Sequence, residues 1–450
     1  MRVRPVVVAA MVLAFALCAA SVARAELPSY APGAFEPSGA CGCHAGLVAQ
    51  WEQSMHAKAL TDPLYLYKLE KANAETGGAI GPFCETCHGP VATMLGEIPG
   101  RDFSEAGGEG VTCDLCHQVT GRREGRIGNT SILVTADGTK RAQFHDAVSP
   151  YHESAYSEIH TGAEICGTCH DVYHPYNGLQ LEGTYTEWAE GPYAAENIAC
   201  QDCHMTPGPG VTKPNPGRAA AGGPERPHIY TMTFAGGNVG LGDADLAEER
   251  LKAAATLRLE VPEFVEGGGV VPAVVRITNS GAGHYLPTGL TDFRRMWLEV
   301  VATAPDGTET AIGRREFHTV FEDANGDAPA EVWNAVAVRS DDRIPPRESV
   351  ENVWDASMPE AGPLIITASL YYRSCTTEVA QAAGVEIPTT TMATVSKAVY
   401  TSREEAAAAR AVPGATAGVA LLAAAAVVVL SVAAAIAYAF RRVRSESRAG

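Results

Sequence analysis

Basic residues are scarce in this chain. Its 450 residues hold 34 Lys and Arg against 52 Asp and Glu, a formal charge of −18. The first 25 residues carry three arginines, and the last ten carry four arginines and one glutamate, so residues 26–440 stand at −24. Such a field repels nucleic acid and excludes it as a partner. It favours proteins with basic surfaces, at encounter rates sensitive to salt. The same acidity would also keep an exported protein soluble. Cysteines outside one recurring pattern are scarcer still. Of twelve, all but Cys18 and Cys375 fall in five short clusters, each closed by a histidine. A disulfide scaffold or a zinc ribbon has no need of a His after every second Cys, so both readings lose ground.

Four clusters read Cys-x-x-Cys-His: Cys84, Cys87 and His88; Cys113, Cys116 and His117; Cys166, Cys169 and His170; Cys200, Cys203 and His204. This is the attachment motif of c-type haem, in which two thiols bond the vinyl groups and the adjacent imidazole ligates iron. On a helical turn, positions i, i+3 and i+4 share a face, so all three groups address one flat ligand. The fifth cluster, Cys41-Gly-Cys43-His44, is one residue short. Read as Ala40-x-x-Cys43-His44, it is a single-thioether site with Cys41 left over; the alternative is a vestigial site in a four-haem protein. The expected cofactor is therefore haem c, at four sites and a fifth. Cys375 is either buried or paired with Cys41.

The two ends predict export and anchoring. Met1–Ala25 has arginines, an apolar run over Val6–Leu17 and an Ala-Arg-Ala close, the pattern of a secretory signal. Gly414–Phe440 is uncharged and long enough for a transmembrane helix, and Arg441, Arg442 and Arg444 follow it. By the positive-inside rule the C-terminus is cytoplasmic and the haems lie at the periplasmic, extracytoplasmic face of the cytoplasmic membrane.

Between these ends the expected fold is multidomain. A mainly α and irregular multihaem domain spans 34–232, a linker and helix 233–258, an all-β immunoglobulin-like sandwich 259–400, a linker 401–413, the membrane helix 414–440 and a tail 441–450. With five haems, residues 41–204 supply only about 33 residues per haem, too few for an ordinary apolar core. The macrocycles must then be the core, packed close enough to conduct. Pro207–Pro227 reads as an exposed loop, and Asp243–Arg258 as a helix. Beyond it, Leu257–Val261, Val270–Thr278, Met296–Ala302, Ala335–Val338, Ser349–Val353 and Leu364–Tyr372 alternate in hydropathy as strands do.

Each low-spin haem needs a distal ligand as well. Outside the motifs stand His56, His145, His152, His160, His174, His228, His284 and His318. Five of them fall between residues 56 and 174, a supply that matches bis-His ligation, which leaves no open position on the iron. Met55, Met94 and Met205 are the alternatives. His284, in the loop Gly283-His-Tyr-Leu-Pro-Thr-Gly289, either ligates a haem and clamps the sandwich to it, or stabilises its own loop by hydrogen bonding.

Trp51-Glu-Gln-Ser-Met-His56-Ala57 resembles a recurrent segment of multihaem cytochromes related to the tetrahaem partner of hydroxylamine oxidoreductase. Ser149-Pro-Tyr-His152, Glu187-Trp-Ala-Glu-Gly-Pro-Tyr193 and His228 with Phe234-Ala-Gly-Gly-Asn238 are similar to further family segments. The Gly283–Gly289 loop and the stretch from Ile387-Pro388 to Met392-Ala393 resemble the β-domain of exported members. The resemblance covers roughly Gly39–Val399. It implies that His56 and His228 are distal ligands and that the protein transfers electrons in an extracytoplasmic respiratory chain. There is no Cys-x-x-Cys-Lys site of the kind nitrite reductases use, which argues against carrying an activity over.

The expectation is thus a membrane-anchored, non-catalytic electron carrier with redox partner proteins, basic or quinol-oxidising. The competing expectations are an oxidoreductase with one five-coordinate haem acting on a small nitrogen or sulfur compound, and a subunit of a conducting cytochrome assembly.

Overall fold

The computed structural model describes residues 27–98 and 101–411. Its N-terminal half is built of short helices, loops and three small two-stranded pairs. Helix α1 covers Ala45–Glu52 and α2 covers Pro63–Thr76. The second shows how locally these elements are specified. Asp62 caps it by accepting the Leu64 amide at 3.0 Å, Pro63 opens it, and Gly77 ends it in the left-handed region at φ 63. Four motif helices follow: α3 (Gly81–His88), α4 (Cys113–His117), α5 (Glu164–Gly167) and α6 (Gln201–His204). Apolar packing in this half is confined to small clusters, such as Phe35, Val91, Met94, Leu115 and Ile132. Met94 lies inside that cluster at 1 % exposure and is a core residue.

Helix α7, Ala244–Ala254, runs straight into strand β1, Ala255–Glu260. The helix expected to reach Arg258 therefore stops four residues short, because Leu259 is needed on the sheet's inner face. Eight more strands follow: β2 (Val270–Asn279), β3 (Arg295–Thr303), β4 (Glu309–Phe317), β5 (Thr319–Asp323), β6 (Ala335–Asp341), β7 (Ser349–Ser357), β8 (Leu364–Arg373) and β9 (Thr390–Val399). They form a three-stranded sheet in the order β7-β2-β1, a four-stranded sheet β4-β3-β8-β9 and a β5-β6 pair, all antiparallel. Alternate residues point inward: Val271, Ala273, Val275 and Ile277 from β2 meet Met296, Leu298 and Val300 from β3 and Ile366, Ala368 and Leu370 from β8.

The β-sandwich abuts the helical half rather than hanging from it. Lys68 and Lys71 of α2 reach Glu331, and Trp333 Nε1 donates to Glu75 at 2.7 Å.

Two sequence expectations lie outside the described residues, the leader 1–25 and the apolar run 414–440. Among the described residues no helix is long and apolar enough to cross a membrane. The last one, Arg403–Ala411, has 9 residues with Glu404, Glu405 and Arg410 on it. At about 1.5 Å per residue it reaches roughly half of a bilayer's ~30 Å core. The single-pass anchor, and with it the placement on a membrane face with a cytoplasmic C-terminus, is corrected accordingly.

Candidate haem-binding centres

In each full motif the backbone closes as a helical turn that puts Cys, Cys and His on one face. The His170 amide donates to the Cys166 carbonyl at 2.9 Å, and the His204 amide to Cys200 at 2.9 Å. In α4 the Thr112 side chain caps the turn by accepting the Leu115 amide at 3.0 Å. Every motif cysteine is a free thiol. Among the described residues, no three His, Cys, Asp or Glu side chains converge as a zinc site would require.

The motif imidazoles are oriented by their outer nitrogens. Nδ1 of His44 donates to the Ala219 carbonyl at 2.7 Å, His88 to Ala59 at 3.0 Å, His117 to Arg141 at 2.7 Å and His204 to Ala235 at 2.8 Å. His170 Nδ1 instead faces the Glu182 carboxylate at 3.5 Å. A ring whose Nδ1–H is engaged leaves Nε2 bare for a metal.

Four of these imidazoles look across a gap at a second one. Ring centroids are 6.4 Å apart for His44–His152, 6.2 Å for His56–His170, 6.1 Å for His117–His160 and 6.2 Å for His204–His284. Two metal–nitrogen bonds of about 2 Å and two half-rings of about 1 Å each make about 6 Å, so each gap fits one iron between two imidazoles. Interplanar angles of 5° to 35° keep the paired rings near-parallel. The His170 side chain is 54 % exposed although it lies deep among other residues, as expected of the wall of a slot. The residues present therefore fit bis-His haem c.

Electrostatics favour ligation at three of these rings, because a metal takes the neutral imidazole. Burial holds His56 down to about 3, His204 to about 3 and His160 to about 4. Burial also depresses His170, but the Glu182 carboxylate outweighs it and raises the group to about 9.

His88 differs from the other four. No imidazole faces it among the described residues; instead the Tyr65 ring lies flat on it, centroids 3.8 Å apart and 7° from parallel. Tyr65 is 8 % exposed, and its hydroxyl has no hydrogen-bond partner.

The pairing sorts the distal candidates. His56, His152, His160 and His284 each face a motif histidine. His174 and His228 do not. His174 is 6 % exposed, and its Nε2 donates to the Trp333 carbonyl at 3.1 Å, tying the helical half to the β-sandwich. His228 accepts the Asn215 amide on Nδ1 at 3.0 Å and packs edge-on against Tyr230. Cys375 is buried at 0 % exposure with Leu64, Ala380 and Ile387, a free thiol not bonded to Cys41.

Supporting residues explain how the distal rings are held. Trp51 Nε1 donates to the Val111 carbonyl at 2.9 Å, and the Val111 amide to the His56 carbonyl at 3.0 Å. Gly110 makes that approach possible, since a Cβ there would sit 2.6 Å from the His56 oxygen. The loop carrying His284 is gripped from the helical half by Glu187. That carboxylate accepts from the Tyr285 amide at 3.0 Å, from Thr288 Oγ1 at 2.7 Å and from Arg343. The Glu187 grip went unread in the sequence, although Glu187 opens one of the family-like segments.

Thiols from different motifs also meet. Cys41 contacts Cys113, Cys87 contacts Cys169, and Cys166 contacts Cys200. Cys116 in turn lies near Cys166 and Cys169. The five sites thus run His44, His117, His170, His204, with His88 joined at His170.

A family model described as cytochrome c554 and c-prime matches residues 40–118. The penta-heme cytochrome c552 from Thermochromatium tepidum shares the fold at a TM-score of 0.61 and 21% identity, covering 81% of this chain and 99% of that one. The CARDB domain of the PF1109 protein from Pyrococcus furiosus aligns with 32% of this chain and 85% of that one, at 12% identity and a TM-score of 0.19. No curated protein sequence matches. With the four Cys-x-x-Cys-His motifs, these likenesses support a multihaem c-type cytochrome. They support haem c as the cofactor and electron transfer as the function.

Proposed function

We propose that this protein is an exported five-haem electron carrier of a respiratory chain, with four bis-His sites and one site at His88 lacking a distal imidazole. Haem c, when bound, supplies one-electron iron chemistry. The chain's own residues supply the rest. Cysteines would fix the group at each site, paired imidazoles would hold it from both sides and exclude substrate, and backbone carbonyls at His44, His88, His117 and His204, with the Glu182 carboxylate at His170, orient the motif rings. The observation that carries the reading is the set of four imidazole pairs at 6.1 to 6.4 Å.

The cross-motif thiol contacts support electron flow between the His44 and His204 ends through His117 and His170. The acid excess of the sequence supports basic redox proteins as partners, and the resemblance to the hydroxylamine oxidoreductase partner supports an oxidoreductase among them. Haem counting by mass spectrometry should give five per chain, and electron paramagnetic resonance should give four low-spin signals and one high-spin signal. A count of two or fewer haems would sink the reading.

One observation favours a second role at the branch. His88 has Tyr65 on its flank and no imidazole opposite, so this site could take a small ligand such as a nitrogen oxyanion or hydroxylamine. Four flanking low-spin sites would then serve as its electron supply. Loss of the high-spin signal on adding hydroxylamine or nitrite would support that role, and a protein with all sites low-spin would refute it.

A further inference from the structure

The shortened first motif folds differently from the other four, and the difference decides which sulfur faces the cofactor. Gly42–His44 is a 3₁₀ turn, closed by the His44 amide donating to the Cys41 carbonyl at 2.8 Å. In an α-turn, residues advance by about 100°, so Cys-x-x-Cys-His spreads two sulfurs and an imidazole over an arc of about 100°. In a 3₁₀ turn the advance is about 120°, so positions i and i+3 eclipse while i+2 points about 120° away. Cys41 and His44 are i and i+3; Cys43 is i+2.

The surroundings agree with that rotation. Cys41 is half-buried, whereas Cys43 is exposed. The Cys43 carbonyl accepts the Ala221 amide at 2.7 Å, which pins the turn from the 207–227 loop. Cys41 meets the thiol of Cys113, just as Cys87 meets Cys169 and Cys166 meets Cys200. Both members of the latter two pairs belong to full motifs. Cys41 thus holds the place of an attaching cysteine at the boundary with a neighbouring site. Cys43 has no such counterpart. Across the gap from His44 stands His152.

We propose that Cys41, and not Cys43, forms the single thioether at the His44 site, and that Cys43 stays a free, solvent-facing thiol. Losing one residue from the motif is absorbed by tightening the turn, which keeps the first cysteine and the histidine aligned and discards the second cysteine. The thiol adds across one vinyl group: a C–S bond forms at one vinyl carbon, and the thiol proton goes to the other. No oxidant or reductant is consumed, and the second vinyl stays intact. This inference rests on the five-site reading above.

The test uses holoprotein matured in a host with a working cytochrome c assembly system. It is alkylated under denaturing conditions, digested, and the peptide holding residues 41–44 is fragmented in the mass spectrometer. The expected result is one haem on Cys41 and one alkyl group on Cys43. Haem on Cys43, or both thiols consumed, overturns the proposal while leaving five sites in place. A peptide with two alkyl groups and no haem overturns the proposal and removes the fifth site, but leaves the other four peptides to carry the electron-transfer reading. As a second measurement, Cys43→Ser should retain five covalent haems per chain and Cys41→Ser should retain four. If Cys41→Ser fails to mature, the wild-type peptide still decides the matter.

Discussion

Removing the imidazole of His284 should convert one site from low-spin to high-spin and leave three pairs unchanged. Among the described residues, His284 is the β-sandwich histidine that faces a motif imidazole, its ring 6.2 Å from His204. His284→Ala should therefore reduce four low-spin signals to three and add one high-spin signal. His284→Met should restore the low-spin count and raise that site's potential, because a thioether ligand favours the reduced iron. The grip on the loop sets a second magnitude. Glu187 and Arg343 have side-chain exposures of 7% and 12%, so neither can be stranded cheaply. Breaking a buried pair costs about 3–5 kcal/mol; because Arg343 keeps Asp341 as a partner, about 3 kcal/mol is the better figure. At about 1.4 kcal/mol per decade, Glu187→Gln should raise the open fraction of the loop, and with it cyanide affinity at that site, about 100-fold. The assays are low-temperature electron paramagnetic resonance and cyanide titration. Four low-spin signals surviving in His284→Ala would refute the ligand assignment. Unchanged cyanide affinity in Glu187→Gln would refute the grip.

The other predictions separate structural histidines from ligands and test the join between the halves. His174→Ala should leave every low-spin signal in place but destabilise the fold by about 1–3 kcal/mol, since it removes the donor to the buried Trp333 carbonyl; thermal unfolding with parallel spin-state counting checks both. Adding cyanide to wild-type protein should abolish the single high-spin signal from the His88 site and spare the four low-spin ones. Burial would raise the Glu331 carboxyl, but Lys68 and Lys71 outweigh it and hold the group below the ordinary carboxylate value. A depressed folded value gives stability that is present above the unfolded pKa of about 4.3 and is lost as pH falls through the folded value. The unfolding midpoint of Glu331→Gln should thus trail wild type at neutral pH, with the gap closing on acidification below about pH 4. A constant gap across that range would contradict the ion-pair account.

Legibility in the sequence followed the range of the forces involved. The haem motifs were legible because thioether chemistry imposes a spacing within five residues. So were six of the strands, among them β2, β3 and β8, whose alternate residues are buried. Strands β4 and β9 were not, because they are the edges of the four-stranded sheet. On β4, Arg314 pairs with Glu316 on one face while Arg315 reaches Asn352 on the other, and threonines mark β9, so neither shows clean alternation. Distal pairing was illegible for a different reason. His170 finds its partner 114 residues upstream and His204 finds its partner 80 residues downstream, separations at which no local pattern operates. His174 and His284 show the cost. Both stand as distal candidates in the sequence, yet one bonds a tryptophan carbonyl and only the other faces a motif imidazole.

The loop 207–227 read as a linker because proline, glycine and alanine dominate it. In the structure its backbone serves the first site, with Ala219 holding His44 and Ala221 holding Cys43. Composition described its lack of regular structure correctly but missed that irregular backbone is a good source of unpaired carbonyls and amides. Ala59 and Ala235, which carry the orienting carbonyls for His88 and His204, likewise lie outside helices and strands, whereas Arg141, which serves His117, sits in the short strand Lys140–Ala142. A carbonyl inside a helix or sheet is already committed to its own ladder. A domain that orients four of its five motif imidazoles with backbone acceptors therefore has reason to keep much of its chain out of regular structure. The sparse secondary structure before residue 244 is, on this view, a requirement of the ligand set, and replacing those loops with helices would remove the groups that hold the rings in place.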